Sequence, residues 1–282
     1  MKKHNSLPKN LPRLMLTFIG TIFLFLFLIL LSIRVTLFNE KHMESVANKT
    51  EYYTKLTGEI NKDIAGYALG SNVPEEVLKN AVPVETVEAN VKNYFKAAYN
   101  PGVKYEITGT AELKTLIVDK INTYAKQEGK EVQSVESVNK LGDELVDIYA
   151  SYVRLPFLVE FGQKITKYKN TLTMMTATMG VLWGLVSAAL LVSLRGYKHR
   201  LMRFSSYSLI GAGLMGIGVP AYLLVKDIFA NVGIQSPAMY QFLTSYINSF
   251  LWMFIIIGLV LVVLGIISAI LSEKTRRGLT GY

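Results

Sequence analysis

The sequence predicts an all-α membrane protein: four transmembrane helices, with a helical extracytoplasmic domain inserted between spans 1 and 2. Three observations lead there. Four apolar stretches have membrane-crossing length, the basic residues outside them are sorted to one side, and the long polar block between the first two stretches carries helical periodicity.

A helix rises about 1.5 Å per residue, so crossing a hydrocarbon core takes roughly 20 apolar residues. The stretches 14–33, 171–194, 207–225 and 246–271 meet that length, and none contains Asp, Glu, Lys, Arg or His. Lys2, Lys3, Lys9 and Arg13 fill the tail 1–13. Arg195, Lys198, Arg200 and Arg203 lie in the link 195–206, and Lys274, Arg276 and Arg277 in the tail 272–282. Four spans put these three segments on one face, and the positive-inside rule makes that face cytoplasmic, with both termini. The block 34–170 and the loop 226–245 then lie outside. From Phe38 to Asn170 the signs nearly balance, with 17 Lys and Arg against 19 Asp and Glu. The formal charge of +9 therefore belongs to the cytoplasmic rim, where it suits anionic lipid and gives no reason to expect a nucleic-acid partner.

The first stretch is longer than a signal-peptide core, and its exit, Ser32-Ile33-Arg34-Val35-Thr36, lacks a small-residue cleavage site. It is expected to stay as a span, with Arg34 reaching to the outer interface. There is no cysteine, so packing alone must hold the outer domain.

Within that domain, Val46, Tyr53, Leu56, Ile60, Ile64 and Tyr67 share one helical side, as if span 1 continued outward. Gly70-Ser71-Asn72 stops that helix. Pro74 with Glu75 and Glu76 opens a short one, Pro suiting the first turn and acids the positive end. After the Val82-Pro83 break a helix carries Val87, Val91, Tyr94, Phe95 and Ala98. A turn at Asn100-Pro101-Gly102 and an extended stretch Lys104–Thr108 follow. Thr110–Lys126 is helical, with Leu113, Leu116, Ile117, Ile121 and Tyr124 inward. Beyond a polar break at Gln127–Lys130, another helix shows Val135, Val138, Leu141, Leu145, Ile148 and Tyr152. After Leu155-Pro156, the stripe Phe157, Phe161, Ile165 and Tyr168 leads into span 2. It fits either the lipid headgroup level or packing against the outer domain.

Val73-Pro74-Glu75-Glu76-Val77-Leu78, then Val82-Pro83-Val84-Glu85-Thr86-Val87, then Val91 and Tyr94-Phe95, resemble a loose group of bacterial four-span envelope membrane proteins of Gram-positive type. That resemblance, over roughly residues 40–105 and the order of spans, implies a helical extracytoplasmic domain after the first span and contributes no site. The span order is also similar to that of FtsX-like permeases, although the basic link is too short for their cytoplasmic coupling segment.

Small residues mark the bundle. Thr176, Gly180, Gly184 and Ala188 recur every four residues in span 2, an extended GxxxG pattern that lets another helix approach closely. Span 3 has Gly211 and Gly216 ahead of Pro220, where a kink is expected. Span 4 has Gly258 and Gly265. These surfaces fit packing within one chain or a homo-oligomeric seam.

No chemistry-bearing constellation stands out. His4, His42 and His199 are far apart in sequence, and there is no phosphate-loop or serine-elbow motif. The glycines of Gly211-Ala212-Gly213-Leu214-Met215-Gly216 spell a dinucleotide fingerprint but lie inside a span rather than after a strand. No metal or cofactor is expected. The sequence thus points to a non-enzymatic protein of the cell membrane. Its outer domain would bind a protein or cell-wall partner while the bundle sits in the lipid bilayer as anchor or homo-oligomer. The alternative is a small channel or a transporter or exporter subunit.

Overall fold

The computed structural model of the chain describes residues 7–100, 102–103, 105–129, 134–226 and 233–280. Expectations resting on Lys2, Lys3, His4, Pro101, Lys104, Lys130 and Asp227, and on the side chains of Lys9 and Phe157, lie outside the described residues. Every regular element among the described residues is an α-helix. Four helices are long and apolar enough to cross a membrane, by length and composition, over Leu11–Val35, Glu160–Ser193, Lys198–Val225 and Pro237–Gly278. The chain divides into two compact units. Unit 1 comprises 1–38, 168–231 and 247–282; unit 2 comprises 39–167 and 232–246.

Unit 1 is a helical bundle. Helix α1 (Leu7–Val35) packs along α9 (Lys198–Val225). Leu24 and Leu28 of α1 meet Ala212 of α9, ringed by Phe25, Phe27, Trp183, Leu209, Ile257 and Leu261. The apolar later part of α8 (Pro156–Ser193) touches α1, because a Cβ on Gly180 would sit 3.2 Å from the Phe27 ring and one on Gly20 would sit 3.0 Å from Val186. The outward surface is apolar: Met174, Val181 and Val192 of α8, Val219 of α9, and Trp252 and Ile256 of α10 (Pro237–Thr280) are all exposed. Exposed apolar side chains on three long helices are compatible with a lipid surrounding.

At one end of this unit the basic segments come together. Arg13 donates from Nε to Ser193 Oγ (3.2 Å) and from Nη2 to the Ser193 carbonyl (3.1 Å), a cation at the C-terminal end of α8. Ser272 Oγ donates to the His199 carbonyl, and Arg203 lies 3.7 Å from Glu273. Arg13 at the end of the tail, the link and the start of the C-terminal segment, far apart in sequence, thus share one end of the bundle. The link is largely helical: after the turn at Leu194–Tyr197, with Gly196 at φ +94°, α9 starts at Lys198. Similarly α10 continues through most of the C-terminal tail to Thr280.

Unit 2 is a small helical domain. Its elements are α2 (Glu40–Lys49), α3 (Tyr52–Leu69), α4 (Glu75–Leu78), α5 (Val84–Tyr99), α6 (Thr110–Gln127), α7 (Val135–Val153) and the first turns of α8 and α10. The stripe expected from Val46 to Ile64 is buried, but Tyr67 is exposed, and the helix carrying it is interrupted twice. Asn39 opens α2 by accepting the Lys41 N–H, and Glu51, in the left-handed region at φ 54°, separates α2 from α3. Thr50 donates to the Val46 and Ala47 carbonyls, occupying the last turn of α2. Gly70–Asn72 ends α3 as expected, Asn72 taking the positive φ.

Val87, Val91, Tyr94, Phe95 and Ala98 of α5 are buried, as are Leu113, Ile117 and Ile121 of α6 and Val138, Leu141 and Leu145 of α7. Two inward assignments fail. Leu116 is exposed on the outer side of α6, and Val135, the first residue of α7, is 78% exposed because the helix has only begun there. In the stripe leading to span 2, Ile165 is buried while Phe161 and Tyr168 are exposed.

The largest departure concerns α10. The stretch read as the outer loop 226–245 becomes helical at Pro237, well before the predicted start of span 4, and its first turns enter the core of unit 2. Ala238, Met239, Phe242 and Tyr246 are buried. Phe242 stacks on Tyr52 (centroids 4.6 Å apart) and Phe95 (5.6 Å), and Tyr246 meets Tyr99 hydroxyl to hydroxyl at 3.1 Å.

Candidate functional site

Unit 2 carries a cleft of about 1060 Å³ between α3, α4 and α7. Its floor follows α3 from Thr54 to Tyr67, where Gly58 and Gly66 leave open space: a Cβ on either would meet nothing within 4 Å. The buried Asn61 fixes one wall. Its Oδ1 accepts the Val82 N–H (2.8 Å) and its Nδ2 donates to the Val82 carbonyl (3.0 Å), so one amide satisfies both backbone groups just before α5. The α7 wall is tied to α3 by Tyr152, which donates to Asp63, and by Tyr67, which donates to Glu144 (3.0 Å). Burial first, then the Asp63 carboxylate, pushes the Tyr152 phenol up. The Glu144 hydrogen bond raises that of Tyr67. Both phenols are therefore neutral donors at physiological pH.

The mouth presents Lys62 and Lys79 beside Asp63, Glu75 and Glu76, all exposed. Glu75 and Glu76 sit in the first turn of α4, where the helix dipole favours them. Such a surface offers donors, acceptors, both charge signs and two aromatic rings. It can hold a polar, extended ligand along α3.

Of the described histidines, His42 lies in α2 with its ring 5.8 Å from that of Tyr246, its pKa lowered by burial and by Lys49, and His199 lies in the first turn of α9. Among the described residues no group of three or more His, Cys, Asp or Glu side chains could hold a metal ion.

The expected packing residues fall into two sets. A Cβ on Gly258 would lie 2.8 Å from the Gly213 carbonyl oxygen, and one on Gly265 would lie 2.5 Å from Ile210 Cγ1. A Cβ on Gly211 would lie 3.0 Å from Thr21 Cγ2 and one on Gly180 3.2 Å from the Phe27 ring, and Thr176 is buried, its hydroxyl bonded to the Leu172 carbonyl. Gly184 and Gly216 have nothing within 4 Å of a Cβ, and Ala188 is exposed. Pro220 is buried inside a continuous α9 and cannot donate to the Gly216 carbonyl.

Glu59 was not singled out by sequence. Its Oε2 accepts from Ser236 Oγ (2.5 Å) and its Oε1 from the Ala238 N–H (2.7 Å), while Ser236 Oγ accepts the Met239 N–H (3.1 Å). A carboxylate thus sits at the start of α10, where it satisfies an otherwise open N–H and meets the positive end of the dipole. The legible part of this signal was Ser236-Pro237, an N-cap followed by proline at the first helical position, ahead of Phe242 and Tyr246 at helical spacing.

No family model, no curated protein and no solved structure matches the chain.

Proposed function

We propose that the chain is a non-enzymatic, multi-pass protein of the cell membrane, with both termini cytoplasmic and unit 2 outside. In this reading unit 2 captures a protein or cell-wall partner through the α3–α4–α7 cleft. The cleft carries the proposal: it is open, polar and of mixed charge, walled by side chains held by Asn61, Tyr67 and Tyr152. The gathering of the basic segments at one end of unit 1 supports the orientation. The apolar packing of Leu24, Leu28 and Ala212 supports an anchor over a polar pathway through this bundle.

The test is in-cell photocrosslinking from a photoreactive residue at Lys62 or Lys79, with Val135 as an exposed control outside the cleft. One partner captured from both cleft positions, not from Val135, and lost when Asp63 and Glu76 are changed to Lys, is the expected result. Equal capture from all three positions, or no capture from the cleft, would contradict it.

A further inference from the structure

The basic end of unit 1 has far more positive charge than the protein neutralises. Arg13, Arg195, Lys198, Arg200, Arg203, Lys274, Arg276 and Arg277 lie in the three segments gathered there, and Glu273 is the single acidic residue among the described residues of unit 1. Glu273 is shared by Arg276 (2.6 Å), Arg277 (3.3 Å) and Arg203 (3.7 Å). Arg13 is bonded to Ser193 and Arg200 lies 5.0 Å over the Tyr197 ring, while Arg195 and Lys198 flank the turn between α8 and α9. Buried Leu194 anchors it, and the Tyr197 N–H donates to the Leu194 carbonyl (2.8 Å), so Arg195, Tyr197 and Lys198 project outward from a fixed turn and are exposed. Tyr197 gives α9 no side-chain cap, and the first turn of α9 has no acid. The positive helix end and the cations reinforce one another, an arrangement that calls for an anion.

The surroundings decide which anion. One turn back along α8, Leu191 and Val192 are exposed, and near Arg13 so are Leu11, Met15 and Phe18. A soluble acidic protein or nucleic acid would match the charge alone and make no use of these apolar side chains. An amphiphile with an anionic head and acyl chains matches both, with Tyr197 at the level where aromatic rings prefer to sit.

We infer that the α8–α9 turn, through Arg195 and Lys198, binds the phosphodiester headgroup of an anionic phospholipid, whose acyl chains run along the exposed apolar residues of the adjoining helix. This site is independent of the cleft in unit 2, so either can fail alone.

The test uses the full chain in neutral detergent, titrated with short-chain phosphatidylglycerol, short-chain phosphatidylcholine and glycerol 1-phosphate, with bound lipid counted by native mass spectrometry. Phosphatidylglycerol should bind more tightly than phosphatidylcholine by roughly 30-fold, from two cations at about five-fold each. Glycerol 1-phosphate, with charge but no chains, should bind no better than phosphatidylcholine. Arg195→Gln with Lys198→Gln should remove the preference, Arg195→Lys should keep most of it, and Lys274→Gln should change it less than two-fold. Equal binding of the two lipids by the native chain would overturn the proposal even if the double variant did not fold. Equal losses from Lys274→Gln and the double variant would replace the site with diffuse charge. Tight binding of glycerol 1-phosphate would overturn the lipid assignment.

Discussion

Replacing Phe242 by Ala should open unit 2, although Phe242 lies in the helix that continues into span 4. Its side chain is 1% exposed and stacks on Tyr52 of α3 and Phe95 of α5. Removing a buried Phe costs about 3–5 kcal/mol through lost burial and the cavity left behind. A domain holds only about 5–15 kcal/mol in total, so this is a large share. At 1.4 kcal/mol per factor of ten, the population of the opened unit rises roughly 100- to 4,000-fold. Hydrogen exchange with mass spectrometry on the full-length protein reads this directly. Amides of α3 around Leu56 and Ile60, and of α5 around Val87 and Val91, should lose protection by that factor. Trp252→Ala, further along α10 at a residue 53% exposed, should leave them unchanged. If Phe242→Ala disturbs only the start of α10 and leaves α3 and α5 protected, residues 237–246 behave as an outer loop after all, and their place in the core of unit 2 is wrong.

Two other expectations follow from local geometry. Gly213→Ala would bring a Cβ within 2.6 Å of the Gly258 carbonyl oxygen and 2.8 Å of Val262, where backbone cannot yield cheaply, and should destabilise unit 1 by about 1–3 kcal/mol in a detergent unfolding titration. Gly184→Ala meets nothing within 4 Å and should be neutral or slightly stabilising, so equal effects from the two variants would contradict the packing of α9 on α10. Burial pushes the Tyr99 and Tyr149 phenols up to about 12 from the ordinary 10. A raised folded-state pKa stabilises unit 2 fully below pH 10, and that contribution is lost as pH rises towards 12. Tyrosinate absorbance in a pH titration should therefore show these two phenols ionising together with loss of helical structure, and early ionisation with unit 2 intact would contradict their burial.

The cores of the individual helices were legible because period alone reveals them. Ile60 and Ile64, Val87 and Val91, Ile117 and Ile121, and Leu141 and Leu145 each repeat at one helical turn, and all are buried. What escaped was set by non-local pairing or by weak punctuation. The break at Glu51 needs a left-handed residue that is not glycine, which sequence offers no reason to expect. The basic residues of the α8–α9 link are good helix formers, so their charge did not keep α9 from starting at Lys198, inside the stretch read as a link. Gln241, Thr244 and Ser245 gave the start of α10 the polarity of a loop, while its apolar partners, Tyr52 and Phe95, lie far away in sequence. In the cleft, Pro74, Glu75 and Glu76 were legible as a helix start. The space above Gly58 and Gly66 depends on how α4 and α7 pack against α3, which a single sequence does not encode locally.

Because the chain has no cysteine, sidedness can be read from single introduced thiols. In intact cells, a membrane-impermeant maleimide should label Ser71→Cys and Lys79→Cys in unit 2. Arg195→Cys and Lys274→Cys should be labelled only after the membrane is permeabilised. Labelling of the Arg195 and Lys274 positions in intact cells, with Ser71 and Lys79 protected, would invert the protein and remove the basis for an extracytoplasmic partner.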